Sequence, residues 1–256
     1  MRSALGRSFD VYYRDVARTQ RMDRLNAAFI GPGDLAFDIG AHVGDRTASF
    51  RRLGARVVTL EPQPHVFRAL RLIHGRDPGV VLHCAAAGAQ AGEVDMHLNT
   101  LNPTVSTASR ALIKAAPGAE AWADQTWDKT IRVPVVPLDR LIETHGLPAF
   151  IKIDVEGFEA EVLAGLSTPV RALSFEVTTI QRDVASACLT RIADLGPYEF
   201  AFSLGEGHVL QKGGWVAARA MEAMLHNLPT SANSGDVYAR LKDWRPRQDS
   251  NLQPAP

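Results

Sequence analysis

The sequence predicts an α/β protein built on a mostly parallel sheet with helices on both faces. Short apolar runs rich in β-branched residues alternate with amphipathic stretches from residue 35 onward. Glycines punctuate the changes of segment, at Gly40, Gly54 and Gly75. The hydrophobic share, 46% of 256 residues, is enough for one substantial core. A β-α-β-α-β order implies parallel strands, because each crossover helix returns the chain to the same edge of the sheet.

Residues 1–30 read as a helical cap, with Phe9, Tyr12, Tyr13 and Val16 at near-helical spacing. Gly31-Pro32-Gly33 then breaks the chain. Residues 35–39 read as a strand, 45–53 as a helix stopped by Gly54, and 56–60 as the second strand. A helix over 66–74 sets Val66, Leu70 and Ile73 on one face, and 80–84 is a third strand. Residues 93–98 alternate like a strand. Residues 99–130 are polar and rich in Ala, Ser and Thr, and read as an insertion on the substrate side. Strand-like 131–136, helical 138–145, strand 150–154, helix 158–166 and strand 171–177 follow. Residues 198–204 and 236–241 are expected to close the sheet as a hairpin-like pair. The main domain is therefore expected over 31–241. The polar, Pro-containing 242–256 are expected to be disordered.

Charge is balanced, 28 basic against 28 acidic residues, without a long basic run, so no nucleic-acid partner is expected. Cys84 and Cys188 lack CxxC spacing, which argues against a zinc site or a disulfide scaffold and fits a reducing compartment. The start has no apolar core like that of a signal peptide, and no apolar run is long enough to span a bilayer. A cytoplasmic protein without a membrane partner is the expectation.

Two stretches carry chemistry. In LAFDIGAHVGDRT, residues 35–47, a strand ends in Asp38 just before Gly40 and Gly44. Ligands of open parallel sheets sit outside the carboxyl ends of the strands, where this turn lies. Gly40 permits a tight turn and close ligand approach, and Gly44 lets the helix begin close to the sheet. Glu61 ends the next strand about 20 residues on, where an acid binds ribose hydroxyls. The spacing is G-x-x-x-G, not the G-x-G-x-x-G that receives a dinucleotide pyrophosphate, and Asp38 would repel one. S-adenosylmethionine instead offers a sulfonium, an ammonium and no phosphate. Asp38 is then placed to hold its aminocarboxypropyl end, through the loop or a water. The bland reading of this turn is an ordinary capped βα loop. The phosphate-cradling GxxxxGK[ST] pattern is absent.

The second stretch is FIKIDVEGFEAEVLAGL, residues 150–166. Alternation sets Ile151 and Ile153 on one face of the strand and Phe150, Lys152 and Asp154 on the other. A lysine in an apolar strand is costly unless paired or solvated at a cleft. Asp154 and Glu156 gather at the ligand side of the sheet, unless they only cap the following helix. Glu159 and Glu161 suit the dipole of its first turn. Glu176, opposite in facing to Leu173, Phe175 and Val177, is a candidate to face the same cleft from a neighbouring strand.

Together with VVTLEPQPHVFRAL, VPLDRLIE, ALSFEV and SGDVYARL, these stretches resemble the FkbM-type family of S-adenosylmethionine-dependent methyltransferases over residues 33–241. The resemblance implies a Rossmann-like class I methyltransferase fold, with seven strands and the last antiparallel. It implies cofactor binding at Asp38, Gly40, His42, Val43, Gly44 and Glu61, with Cys84 and Ala85 near the adenine. His42 stands where family members commonly carry Asn. It also implies transfer of the methyl group to a hydroxyl of a sugar, glycan or specialised metabolite. An alcohol must lose its proton to a positioned base or a bound metal. Asp154 is the first candidate for either role, with Lys152 and Glu156 tuning it or holding substrate. A divalent metal among Asp154, Glu156 and Glu176 is a further candidate, although the sequence shows no complete octahedral set. His42 and His65 are alternative bases. Tyr12, Tyr13, Ser106, Thr107, Trp122 and Trp127 are candidates for an acceptor pocket. The competing functions are a nicotinamide-dependent oxidoreductase and a non-catalytic cofactor-binding module on the same fold.

Overall fold

A computed structural model describes residues 4–244. The expectation of a disordered 242–256 falls outside those residues except at 242–244.

The cap region forms two helices, α1 (Ala4–Tyr13) and α2 (Val16–Ala27). Asp15 starts α2 by accepting a hydrogen bond from the Arg18 N–H, which satisfies one of the helix's orphan donors. The chain then alternates: β1 (Leu35–Ile39), α3 (Asp45–Arg52), β2 (Arg56–Leu60), α4 (Pro64–His74), β3 (Val80–His83) and β4 (Ala86–Ala87). Pro64 opens α4, where a missing N–H costs nothing. Next come β5 (Gly92–Leu98), α5 (Arg110–Ala115), β6 (Lys129–Val136), α6 (Leu138–His145), β7 (Phe150–Ile153) and α7 (Glu159–Ala164). The chain closes with β8 (Ala172–Thr178), α8 (Arg182–Leu195), β9 (Tyr198–Leu204), α9 (Ala218–His226) and β10 (Ser234–Leu241).

Seven strands form the main sheet in the order β3-β2-β1-β7-β8-β10-β9. β10 pairs antiparallel with both β8 and β9, so it alone runs against the others. The closing pair is adjacent and antiparallel, as its sequence suggested, but it is not a tight hairpin. α9 lies between the two strands, and β10 inserts beside β8. The strands read at 93–98 and 131–136 do not join this sheet. They pair with each other, and β6 also pairs with Ala86–Ala87, to make a separate three-stranded sheet. Its inner side packs on Met96, Val133 and Ala86.

Alternation along the strands divides the core in two. Phe37, Ile39, Ile151, Ile153, Leu173 and Phe175 meet α6, α7, α8 and α9 on one face. Ala36, Val57, Phe150, Ala172 and Tyr238 meet Phe29 and Phe50 on the other. On this second face polar residues gather at the end of the sheet where the parallel strands finish: Thr59, Asp38, Lys152, Ser174 and Glu176, with Asp236 from the start of antiparallel β10. In the middle stretch 99–130, Ser109 caps α5 by accepting from the Leu112 N–H, and three short 3-10 turns supply most of the remaining regular structure. Cys84 and Cys188 are both free. No helix of the described residues is long and apolar enough to cross a membrane.

Candidate active site

A cleft opens over the carboxyl ends of β1, β2 and β7. Asp38, Gly40, His42, Glu61, Ala85, Asp154 and Glu156, all singled out from the sequence, line it. Tyr12 from α1 and Ser106 from the middle stretch reach the same space.

The β1 turn is shaped by close packing. Gly40 adopts φ 83°, and a Cβ there would lie 1.7 Å from the carbonyl oxygen of Asp154, so no side chain fits. The Asp154 N–H in turn donates to the Ile39 carbonyl at 2.9 Å. Gly44 serves a different contact. A Cβ there would lie 2.6 Å from Leu70 and 2.7 Å from His74, so the glycine lets α3 start against α4. Val43 and Gly44 do not line the cleft. Val43 is buried and accepts at its carbonyl from the Tyr13 hydroxyl.

Neutral donors hold both acids on this side. Asp38 accepts from the Thr47 hydroxyl at 2.5 Å, and Thr47 also lies 3.0 Å from the Thr59 hydroxyl. Glu61 accepts from the backbone N–H groups of His42 at 2.9 Å and Gln63 at 2.8 Å. Burial pushes Asp38 up to about 6, against the partial offset of the Thr47 hydrogen bond. Burial likewise pushes Glu61 up to about 7, with its two backbone donors working the other way. The His42 ring has both nitrogens buried and unpartnered, and burial lowers it to about 4, so the imidazole is neutral at pH 7. A neutral ring with no protein partner retains one donor and one acceptor for a ligand.

The β7 side is organised around a cation. Lys152 is 2% exposed, and its Nζ lies 2.5 Å from Asp236 Oδ1 and 3.2 Å from Asp154 Oδ2. Burial works against its charge, but Asp154 and Asp236 outweigh it and hold the ammonium protonated. Lys152 lies beneath the cleft and does not line it. Asp154, with its side chain 30% exposed, is the member of this group that faces the open space. Glu156 takes a left-handed backbone, φ 55°, and its carbonyl accepts from the Thr107 hydroxyl at 2.6 Å. One carboxylate oxygen from each of Asp154, Glu156 and Glu176 lies within 4.8 Å of the others. Burial first, then repulsion among these acids, holds Glu156 and Glu176 well above the usual carboxylate range. Glu159 does more than favour a helix dipole. It is buried, and its carboxylate accepts from the N–H groups of Val155 and Gly157, fixing the loop after β7.

Other candidates lie elsewhere. His65 is exposed on α4. Thr107 is buried beneath the loop, Trp122 donates to Asn233, and Trp127 donates to the Val105 carbonyl. Cys84 is half-buried and does not line the cleft. Three charged residues of the cleft were not read from the sequence: Asp45, Arg46 and Glu206. Arg46 bonds Asp45 at 2.8 Å and Glu206 at 3.1 Å, and Arg18 of α2 pairs with both acids, which ties the cap to the cleft wall. Nothing local marks Glu206, which sits between two glycines after β9 and meets its partners only through the fold.

A family model described as the methyltransferase FkbM domain matches residues 38–194. The chain belongs to the FkbM methyltransferase family. The match spans the β1 turn, Glu61 and the IKIDVEG segment, and family membership supports methyl transfer as the activity of this FkbM chain. The chain is 26% identical over 186 residues to a hexuronic acid methyltransferase, AglP, of Haloferax volcanii, covering 70% of this chain and 69% of that protein. Among solved structures, a precorrin-6y C5,15-methyltransferase from Geobacter metallireducens is 14% identical, covering 86% of this chain and 87% of that one, with a TM-score of 0.42. A TehB-like SAM-dependent methyltransferase from Corynebacterium glutamicum is 10% identical, covering 92% and 97%, with a TM-score of 0.45.

Proposed function

We propose that this FkbM methyltransferase transfers a methyl group from S-adenosylmethionine to a hydroxyl of a sugar or glycan. The observation that carries the reading is the arrangement of one cleft between two acid sets. Asp38 and Glu61 are fixed by neutral donors on one side, and Asp154 is anchored by a buried ammonium on the other. The chemistry of the first set fits the cofactor. Glu61 has a fixed carboxylate to accept from ribose hydroxyls, Asp38 favours a cationic group, and the unpartnered His42 ring has hydrogen-bonding capacity left for a ligand. Gly40 leaves the turn bare of side chain, and Ala85 presents a small apolar surface to the cleft. When bound, S-adenosylmethionine supplies a methyl group on a sulfonium, whose sulfur keeps the electron pair of the broken bond.

Asp154 takes the proton of the acceptor hydroxyl as its oxygen forms the new bond to carbon. Lys152 holds the Asp154 carboxylate in place through Oδ2 and, being buried, stays fixed between two acids. Glu156 holds the acceptor from the same loop. Tyr12 and Ser106 supply an aromatic face and a hydroxyl on the acceptor side. The hexuronic acid specificity of the Haloferax relative supports a sugar as the acceptor class.

Calorimetric titration with S-adenosylmethionine, and with NADH as the control ligand, tests the cofactor. Saturable binding of the first and none of the second is expected. The reverse result would return the oxidoreductase reading. Incubation with labelled cofactor and a panel of uronic acids and neutral sugars then tests the acceptor, and label confined to non-carbohydrate acceptors would overturn the sugar assignment.

A further inference from the structure

The three carboxylates beside the cleft meet for a reason visible in the strand register. β7 and β8 run parallel with Lys152 opposite Ser174. Two residues further along the same face, Asp154 comes level with Glu176. The left-handed backbone at Glu156 brings the third carboxylate into the group, within 4.8 Å oxygen to oxygen. Neighbouring ligand oxygens lie about 3 Å apart around Mg²⁺ and about 3.4 Å apart around Ca²⁺, and only an opposite pair reaches about 4.2 to 5 Å, so the three carboxylates would draw together on a bound ion.

A second, independent feature surrounds them. Ser174, Glu176 and Thr178 alternate along one face of β8. Ser174 is 0% and Thr178 is 7% exposed, yet neither hydroxyl has a hydrogen-bond partner, and Glu176 Oε2 is buried and unpartnered too. Buried polar atoms are nearly always satisfied. Exceptions on the face that bears the acid cluster suit a ligand that brings both positive charge and hydrogen-bond donors. A hydrated divalent ion brings both, because hard cations keep several of their waters. Lys152 cannot serve, since it is shared between Asp154 and Asp236. The donor set is all oxygen, which selects Mg²⁺, Mn²⁺ or Ca²⁺ over zinc or copper.

We infer that Asp154, Glu156 and Glu176 bind one divalent cation, with Thr178, two residues beyond Glu176 on the same face of β8, accepting from one of its waters, and that the ion receives the acceptor's hydroxyl oxygen. The last clause rests on the methyl-transfer reading; the ion site does not. In that role the cation makes the hydroxyl proton easier for Asp154 to take.

The test is titration of chelator-stripped full-length protein with Mn²⁺, following the free ion by electron paramagnetic resonance, with no acceptor present. One saturable site is expected in the wild type. Glu176→Gln is expected to weaken it by at least about ten-fold, and Glu161→Gln, an exposed acid on α7, to leave it unchanged. Glu156→Gln carries the same expectation if Glu176→Gln does not fold. No saturable site in the wild type, or a site indifferent to both substitutions, overturns the inference. S-adenosylmethionine titrated into the same samples separates the two claims: manganese bound without it leaves the ion site standing and sinks the methyl-transfer reading, while cofactor bound without manganese does the opposite.

Discussion

At the ends of β1 and β2 each carboxylate stands apart among neutral donors; at the ends of β7, β8 and β10 four carboxylates crowd around one ammonium. Asp38 answers to a threonine hydroxyl and Glu61 to two backbone N–H groups. Asp154 and Asp236 share Lys152, with Glu156 and Glu176 close by. Both sets stand at the same end of the same sheet, so position along the strands does not distinguish them. Partner type does. Neutral donors orient an acceptor without neutralising it, which suits recognition of a ligand's hydroxyl and ammonium groups. A crowded set under one cation has protons and charge to exchange, which suits chemistry.

Three measurements break or sharpen this contrast. Asp154→Asn is expected to reduce turnover by about 10²–10⁴-fold while cofactor affinity stays within a factor of two or so, measured by single-turnover transfer and calorimetry. Wild-type turnover would remove Asp154 from the reaction. Glu61→Gln is expected to show the opposite split, weakening S-adenosylmethionine by roughly ten- to a hundred-fold with turnover at saturation largely kept, because a charged hydrogen-bond acceptor is worth about 1.5–3 kcal/mol. If Glu61→Gln loses turnover and keeps affinity, the division between the two sets is wrong.

The smallest effect is pH dependence. Asp38 and Glu61 titrate near 6 and near 7 in the folded chain, above their unfolded values. Their contribution to stability is therefore full below about pH 4 and is lost as pH rises through about 6 to 7. A ligand that donates hydrogen bonds and positive charge to them favours the ionised forms. Its affinity should then rise several-fold from about pH 5.5 to pH 7.5, with protons released on binding. Calorimetry in buffers of different ionisation enthalpy reads that release, and a flat affinity with no proton release would show that the ligand does not touch these acids.

Much of this was open to sequence reasoning, and the limits follow from distance along the chain. β1, β2 and α6 lie where their patterns put them, since continuous apolar runs and glycine stops are local signals. The facing of Lys152 opposite Ile151 and Ile153 follows from strand alternation alone. Its partner Asp236 does not, because it lies 84 residues away and arrives only when β10 inserts next to β8. The small sheet of β4, β5 and β6 was legible as strands but not as a separate sheet, because alternation names a face and not a neighbour. Glu206 and Arg46 meet across 160 residues, and no local pattern announces such a pair.

The bare backbone of Gly40, pressed against the Asp154 carbonyl, also sets a mechanical tolerance. The turn after β1 and the loop after β7, which on the proposed reading carry the donor and the acceptor's base, behave as two jaws riveted at one point, by that contact and by the Asp154 N–H to Ile39 bond. The gap between them is a gauge cut into the scaffold. On the proposed reading, a change in the middle stretch would alter which acceptor fits without altering the jaw spacing.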